Sequence, residues 1–322
     1  MMGYRGWKVW MSYDMHISLL ALLYISTICE VDLMHFFALI SSLGFYFMYG
    51  FLVNDFFDMP FDSATGKIRA VHYISRKAFI IIIIAVSIIC ALHFFYLRNP
   101  LFIVVYVSSY LLATFYSSPP VRFKEMGFIG IVVCALVEKA LPVLAIFSFF
   151  SIFSVETAIF LAASFTVHMS EIITHQIYDY ESDMRTGTRT FAVVSIEKAF
   201  KTSKIIYFLS AALMFLLCVI FLRIPYTYFL MIMTSAVYVI LHILISKGKL
   251  IREEKIYPLY LSCMHFLVFN VFPVFLSLIL FLRDPSYIFV TLFALFTQYY
   301  TFKNIFNILR WRVISRGELT DT

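Results

Sequence analysis

Ten long apolar runs restrict the folds open to this chain more than any other feature of its sequence. Each has roughly the length of 17 to 25 residues that an α-helix needs to cross a bilayer. The runs lie at about 14–29, 34–53, 78–97, 101–117, 127–149, 156–178, 204–222, 226–246, 259–282 and 286–302. Backbone groups in hydrocarbon must be hydrogen-bonded within a segment or in a closed barrel, and these runs lack the alternation of barrel strands. We therefore predict an all-α, polytopic transmembrane helical bundle.

The composition excludes a soluble globular protein. Of the 322 residues, 62% are hydrophobic and only 14% are charged, and the mean hydropathy is +0.91. No domain linker or low-complexity tract interrupts the sequence, so residues 1–322 are predicted to form a single integral membrane domain. The five cysteines are scattered one to an apolar region with no paired spacing. This pattern indicates core residues, and neither a zinc site nor a disulfide framework.

The positions of the basic residues predict the orientation of the bundle. Of the 25 Lys and Arg residues, 21 fall in the connections on one side, whereas only Arg98, Arg223 and Arg283 fall on the other and Lys139 lies inside a run. By the positive-inside rule, both termini and the loops with the polar motifs described below are expected in the cytoplasm. The net charge of +6 is therefore a signal of topology, and we expect no nucleic-acid partner.

Two acidic clusters follow the second and the sixth apolar runs, and the predicted orientation puts both on the cytoplasmic side. Their members are Asn54, Asp55, Asp58 and Asp62 in the first cluster, and Asp179 and Asp183 in the second. Spacings of three and four residues align such side chains on one face of a helix that continues past the bilayer. Like charges at this spacing repel, so we expect a bound cation. Carboxylate and amide oxygens favour Mg²⁺, and the spacing does not fit an EF-hand loop. The alternative is that these acids are solvated loop residues.

A short basic connection lies between the two acidic clusters in the sequence. In "YSSPPVRFKEMG", residues 116–127, two prolines stop the helix and stiffen the turn that presents Arg122 and Lys124. Further arginines, namely Arg69, Arg185 and Arg189, lie in other connections on the same side. Guanidinium and ammonium groups from several loops are suited to hold the oxygens of a diphosphate.

The order of these motifs resembles that of the UbiA family of intramembrane prenyltransferases. The resemblance rests on Asn-Asp-x-x-Asp-x-x-x-Asp at residues 54–62, Asp-x-x-x-Asp at residues 179–183 and the "YSSPPVRFK" turn between them, and it covers roughly residues 45–200. It implies a helical bundle around a central cavity, with Mg²⁺ and an isoprenyl diphosphate held between the two acidic motifs. The metal residues implied are Asn54, Asp55, Asp58, Asp62, Asp179 and Asp183, and Arg122 and Lys124 match the basic pair.

Two features depart from the family pattern. Members that prenylate 4-hydroxybenzoate or chlorophyllide commonly follow the first motif with a basic, Pro-containing run, whereas "SATGKIRAVHYISRKAF" has no proline and fewer basic residues. The acceptor therefore stays open. The family is usually drawn with nine spans and the hydropathy pattern here gives ten, so we expect nine or ten.

A polar stripe runs down the sixth apolar run towards the second motif. It consists of His168, Glu171, His175, Asp179 and Asp183, at intervals of three or four residues. Ionisable groups in a membrane helix usually face a cavity or the bundle interior, so we interpret the stripe as the cavity wall. Glu171 or His175 is then a candidate base or acceptor-orienting group, and hydrogen bonding between helices is an equal explanation for His168. In the fifth run, either Glu138 or Lys139 is a candidate to face the cavity.

The function predicted from these features is that of a Mg²⁺-dependent intramembrane prenyltransferase. It would ionise an isoprenyl diphosphate and transfer the prenyl group to a small or lipophilic acceptor, with membrane lipid as its surroundings. The predicted catalytic set is Asp58, Asp62, Asp179, Asp183, Glu171 and His175, and the predicted diphosphate-binding set is Asn54, Arg122, Lys124, Arg69 and Arg189. A terpene cyclase on the same scaffold is the alternative. An ion-coupled transporter is a more distant one, because the carboxylates cluster at one membrane face and not at the midplane.

Overall fold

The computed structural model describes residues 14–64, 66, 70–246, 264–299 and 301–303, and these residues form helices joined by turns, without a strand among them. We number the α-helices in chain order. They are α1 (His16–Ile28), α2 (Leu33–Ala64), α3 (Arg76–Leu92), α4 (Pro100–Ser117), α5 (Phe128–Ala135), α6 (Leu141–Phe149), α7 (Val155–Tyr178), α8 (Tyr180–Thr186), α9 (Phe191–Val194), α10 (Ile196–Phe221), α11 (Thr227–Ser246), α12 (Phe272–Arg283) and α13 (Ile288–Thr297).

All ten predicted runs contain helix, but the predicted number of membrane spans is not confirmed. Within the described residues, seven helices are long and apolar enough to cross a membrane: Leu33–Ala64, Arg76–Phe95, Pro100–Ser117, Phe128–Phe149, Val155–Tyr178, Ile196–Phe221 and Met264–Arg283. Two further apolar helices are shorter there, at His16–Ile28 and Pro285–Thr297, and α11 extends over Thr227–Ser246. Residues 259–263 of the ninth predicted run lie outside the described residues. The all-α fold is confirmed.

Helix α1 lies inside the bundle, although it begins the described chain. All of its residues except the last two are buried, and it packs against α6 and α12. An aromatic cluster joins it to its neighbours: the ring of Phe160 on α7 lies 5.4 Å from the rings of both Tyr24 and Phe147, and 6.0 Å from that of Phe221. The core is therefore built around α1 and aromatic contacts between four helices.

The outer faces of the bundle are apolar. On α3, Ile81, Ile84 and Ile88 are more than half exposed, and Phe208 and Phe215 on α10 are exposed to a similar degree. Apolar surface on this scale is stable in hydrocarbon and not in water. The chain is therefore an integral membrane protein, as predicted.

A π-helical turn, Leu136–Ala140, separates α5 from α6 within the fifth apolar run. Here the N–H of Leu141 donates to the carbonyl of Leu136, five residues earlier. Pro142 has no N–H to donate to the carbonyl of Glu138, which weakens the ordinary four-residue pattern at this point. The wide turn sets the directions in which Glu138 and Lys139 leave the helix.

Substitution of Phe160 tests the aromatic core. Phe160→Ala removes a fully buried ring between four helices, so we expect the free energy of unfolding to fall by about 3 kcal/mol. Phe215→Ala is the matched control, because its ring lies on the exposed face of α10 where lipid or detergent fills the space. Unfolding of the purified protein by SDS in mixed micelles measures both. Equal losses in the two variants would contradict this assignment of the core.

Candidate active site

A cavity of about 380 Å³ lies where α2, α4, α5 and α7 meet. Polar side chains from both acidic motifs line it, namely Asn54, Asp58, Asp62, Asp179 and Asp183. The first motif reaches the cavity because α2 continues to Ala64, eleven residues beyond the end of the predicted run. A volume of this size is typical of small-molecule sites. The structure therefore brings together two motifs that are more than a hundred residues apart in the sequence.

The basic pair of the Pro-Pro turn lies at the same place. The Nη2 of Arg122 donates to the Oδ1 of Asp58 at 3.1 Å, and the Nζ of Lys124 contacts the same oxygen. Lys124 also lies 3.4 Å from the Oδ1 of Asn54, which accepts a hydrogen bond from Ser117 at 2.8 Å. Asp58, Arg122 and Lys124 are each less than one-fifth exposed. The end of the cavity with the two motifs and this basic pair is called its outer end below.

The backbone of the turn fixes the position of Arg122. Its N–H donates to the carbonyl of Ser118 at 2.9 Å, and its φ of 47° lies in the left-handed region, where non-glycine residues are uncommon. The guanidinium is held by the Ser117 carbonyl at 3.1 Å and by Glu125 at 2.5 Å. The start of α5 packs directly on this turn, since a Cβ on Gly130 would lie 2.6 Å from the Phe123 carbonyl oxygen. Arg122 is thus positioned before any ligand arrives.

The second motif lies where α7 gives way to α8. Asp179 sits between the two helices, with its Oδ2 3.3 Å from the Nε2 of His175. Asp183 accepts a hydrogen bond from the Thr190 hydroxyl at 3.1 Å, and its carbonyl accepts one from the N–H of Thr188 at 3.0 Å. Helix α8 ends at Gly187, whose φ of 71° lets the chain fold back over the motif. These contacts hold both carboxylates at the cavity.

Several predicted site residues lie elsewhere. Asp55 is fully buried and outside the cavity lining, because it leaves α2 about 100° away from Asn54. Arg189 is exposed and outside the lining, although its neighbours Thr188 and Thr190 belong to it. Arg185 is exposed and lies 3.8 Å from Glu181. Arg69 lies outside the described residues.

The polar stripe on α7 divides into two parts. His175, Asp179 and Asp183 line the cavity, whereas His168 and Glu171 lie outside its lining. The Nδ1 of His168 is 3.0 Å from Glu171, and its Nε2 is 3.0 Å from Glu138, which does line the cavity. Along α7, His168 lies about 16 Å from Asp179, at 1.5 Å per residue. We call the region of Cys134 and Glu138 the inner end of the cavity.

Other lining residues escaped sequence reasoning. Cys134 was predicted to be a core residue, and the following polar residues were not singled out: Tyr116, Gln176, Ser182, Thr186, Thr188 and Thr190. Asp14 was also missed; its Oδ1 lies 3.3 Å from the Nζ of the buried Lys139. For Gln176 and Ser182 the sequence did offer a signal, because each lies three residues from Asp179 and so shares its helical face. No signal in the sequence marked the other lining residues, because their place at the cavity depends on how distant helices pack.

The electrostatics of the outer end depend on burial. Burial lowers the pKa of Lys124 below its ordinary value, and the nearby Asp58 carboxylate opposes this shift because it stabilises the ammonium form. Lys124 therefore relies on the neighbouring Asp58 carboxylate to remain ionised in a partly dry site. The same environment favours the binding of an anion rich in oxygen atoms.

Comparisons with known proteins agree with this architecture. The sequence pattern that defines the UbiA prenyltransferase family matches residues 15–263. Three structures of a UbiA homolog from Archaeoglobus fulgidus share the fold. The one bound to GPP and Mg²⁺ has 17% sequence identity and a TM-score of 0.57, covering 89% of this chain and 95% of that one. The one bound to DMAPP and Mg²⁺ has 17% identity and a TM-score of 0.56, covering 89% and 94%. The third structure has 18% identity and a TM-score of 0.57, covering 88% of this chain and 96% of that one. No curated protein sequence matches.

The coupling between Lys124 and Asp58 is testable. Asp58→Asn removes the carboxylate that raises the Lys124 pKa, so the pKa falls further and the amine becomes neutral, and reactive, at lower pH. The pH profile of Lys124 acylation, read by mass spectrometry of its peptide, measures this shift. Glu197→Gln is the control, because this exposed carboxylate lies outside the cavity lining. An unchanged or upward-shifted profile in Asp58→Asn would refute the coupling.

Proposed function

Because this chain belongs to the UbiA prenyltransferase family, we propose that it is a Mg²⁺-dependent intramembrane prenyltransferase. It ionises an isoprenyl diphosphate, transfers the prenyl group to a small or lipophilic acceptor and releases diphosphate. One observation carries this proposal: carboxylates of both acidic motifs and the Arg122–Lys124 pair meet at one end of a single cavity. The UbiA homolog bound to GPP or DMAPP with Mg²⁺ supports the choice of substrate class.

The donor atoms at the outer end fit a hard divalent cation. Every acidic side chain there offers carboxylate oxygens and Asn54 offers an amide oxygen, which is the ligand set that Mg²⁺ prefers. The residues that would hold it are Asp58 and Asp62 with Asn54 on α2, and Asp179 and Asp183 at the second motif. Bound Mg²⁺ would neutralise charge on the diphosphate and make it a better leaving group. Asp55 is not included, since it points away from the cavity.

The basic pair binds the diphosphate and stabilises the charge that develops as it leaves. Arg122 is fixed by its turn and offers a planar set of donors, and Lys124 adds a compact charge beside it. Both groups contact Asp58 in the structure. When a diphosphate and its cation bind, the two basic groups pair with the diphosphate and Asp58 pairs with the cation, so no charge is left without a partner. Donors that are positioned in advance stabilise a developing anion with little reorganisation.

The apolar wall of the cavity protects the allylic cation that forms. Tyr46, Phe47, Phe51 and Val137 line it and exclude water from the reactive carbon. The aromatic faces among them also stabilise positive charge by cation–π contact. His175, which lines the cavity beside Asp179, orients the acceptor or takes its proton.

The basic connections support a cytoplasmic orientation for the outer end. Arg122, Lys124 and Arg185 belong to the side of the bundle that carries 21 of the 25 basic residues. The charged diphosphate is then taken from the cytoplasm, and its hydrocarbon chain enters the membrane interior.

Loss of one carboxylate at the second motif tests the reaction. Asp183→Asn keeps the shape of the side chain but removes its charge, so we expect diphosphate release to fall by about 100-fold or more. Glu181→Gln is the matched control, because this acid is 85% exposed and lies outside the cavity lining. Release of diphosphate from geranyl, farnesyl and geranylgeranyl diphosphate is measured with Mg²⁺, using lipid extract as the acceptor source. Equal rates for the parent and Asp183→Asn would refute the proposal.

A terpene cyclase is the second candidate, because the connection after the first motif has no proline and fewer basic residues than in members that prenylate 4-hydroxybenzoate or chlorophyllide. In a cyclase the cation closes on its own double bonds. The three diphosphates are therefore also incubated with Mg²⁺ but without acceptor. For a transferase we expect no hydrocarbon product above the protein-free control and a product of higher mass once lipid extract is added. A cyclic hydrocarbon formed without acceptor would show that the protein is a cyclase and not a transferase.

A further inference from the structure

The inner end of the cavity holds three side chains of a kind that binds transition metals. Cys134 on α5, Glu138 on the π-helical turn and His168 on α7 place one ligand atom each within 4.8 Å of the others. The Sγ of Cys134 lies 3.5 Å from Glu138 and 3.8 Å from the Nε2 of His168, and that Nε2 lies 3.0 Å from Glu138. In the part of the chain that the structure describes, these residues are the one such group.

These separations are those of a metal coordination sphere. Around a tetrahedral zinc ion, with bonds of about 2.3 Å to sulfur and about 2.0 to 2.2 Å to nitrogen and oxygen, neighbouring ligand atoms lie about 3.3 to 3.6 Å apart. The observed distances lie close to this range, at 3.5 Å from Sγ to the Oε1 of Glu138, 3.0 Å from Nε2 to its Oε2 and 3.8 Å from Sγ to Nε2. We propose that Cys134, Glu138 and His168 bind a divalent transition-metal ion of the Zn²⁺ class, with a fourth position open to the cavity.

The chemistry of the ligands separates this site from the Mg²⁺ site proposed above. A thiolate and an imidazole select Zn²⁺ and its neighbours in the first transition row, and Mg²⁺ binds such ligands poorly. At the outer end, the ligand atoms of the acidic and amide side chains are all oxygens. The chain therefore presents two cation sites of different softness at opposite ends of one cavity.

The surroundings of His168 orient it for this role. Its Nδ1 lies 3.0 Å from Glu171, the carboxylate–histidine arrangement that fixes the ring of a ligating histidine and raises its basicity. His168 is buried outside the cavity lining, whereas Glu138 is part of the lining. The π-helical turn begins immediately after α5, so Cys134 and Glu138, four residues apart, approach His168 from the same direction.

Negative charge is available to balance a divalent ion in this buried position, because carboxylates of Glu138 and Glu171 face the two ring nitrogens of His168. Ligation uses the lone pair of the His168 Nε2 and the thiolate of Cys134, so any proton on either atom leaves as the ion binds. The amine of the buried Lys139 pairs with Asp14 at 3.3 Å.

The cavity supplies the route to the site. Cys134 and Glu138 are both part of its lining, so an ion that enters at the outer end reaches them without unfolding the bundle. The open position faces the same space and accepts a water molecule or an oxygen or sulfur donor from a molecule in the cavity. This inference does not depend on the proposed reaction.

Cobalt is the probe that tests the site, because thiolate ligation of Co²⁺ gives an intense charge-transfer absorption that oxygen ligands do not give. The full chain is purified in detergent, stripped with a chelator and titrated with Co²⁺ in excess Mg²⁺, which occupies the oxygen sites. We expect one thiolate-bound Co²⁺ per chain and loss of the absorption when Zn²⁺ is added. Absence of the absorption in the parent protein would overturn the proposal.

Variants assign the absorption to its ligands. Cys134→Ser abolishes it, whereas Cys218→Ser keeps it, because Cys218 is a buried cysteine whose sulfur contacts Met264. Glu171→Gln keeps the absorption but weakens Co²⁺ affinity by about 10- to 100-fold, as expected of a group that orients a ligand. His168→Gln shifts the spectrum and weakens binding, and it serves as a second test if Cys134→Ser does not fold. Absorption that survives in folded Cys134→Ser, or full affinity in His168→Gln, would also overturn the proposal. None of these measurements uses turnover, so failure here leaves the proposed transferase untouched.

Discussion

The ion pair that Asp58 forms with Arg122 and Lys124 is the interaction on which the outer end of the cavity depends. Asp58, Asp62, Asp179 and Asp183 lie within one lining, and Asp58 is less than one-fifth exposed. A partly buried carboxylate is stabilised by positive charge beside it. Arg122 and Lys124 supply that charge to Asp58, and a left-handed arginine and a close-packed glycine hold their turn in place. The outer end is therefore arranged around the pairing of partly buried charges.

Much of the fold was accessible from the sequence because it depends on local, periodic properties. Apolar runs place the helices, and spacings of four residues put Asn54, Asp58 and Asp62 on the inward face of α2. The convergence of the two acidic motifs followed from assigning both to one side of the membrane. The same reasoning could not fix which members of a cluster face inward: Asp55 belongs to the motif by sequence, yet a rotation of 100° on the helix removes it from the cavity.

Features that depend on contacts between distant helices were not predictable. Cys134 looked like a core residue because its partner His168 lies on another helix and carries no spacing signal relative to it. The pairing of Lys139 with Asp14 spans 125 positions, and the π-helical turn that orients Glu138 depends on a proline four residues later. Hydropathy also could not decide the number of spans, because a run of apolar residues does not reveal where its helix ends.

The central position of α1 has a consequence for how the protein is made. Its surface is covered by α6 and α12, and at its end the Thr27 carbonyl accepts a hydrogen bond from Arg283, 256 positions later in the chain. A ribosome delivers α1 to the membrane before α6 and long before α12. During synthesis α1 is therefore exposed to lipid or to insertion factors, and the interior closes around it only when α12 arrives.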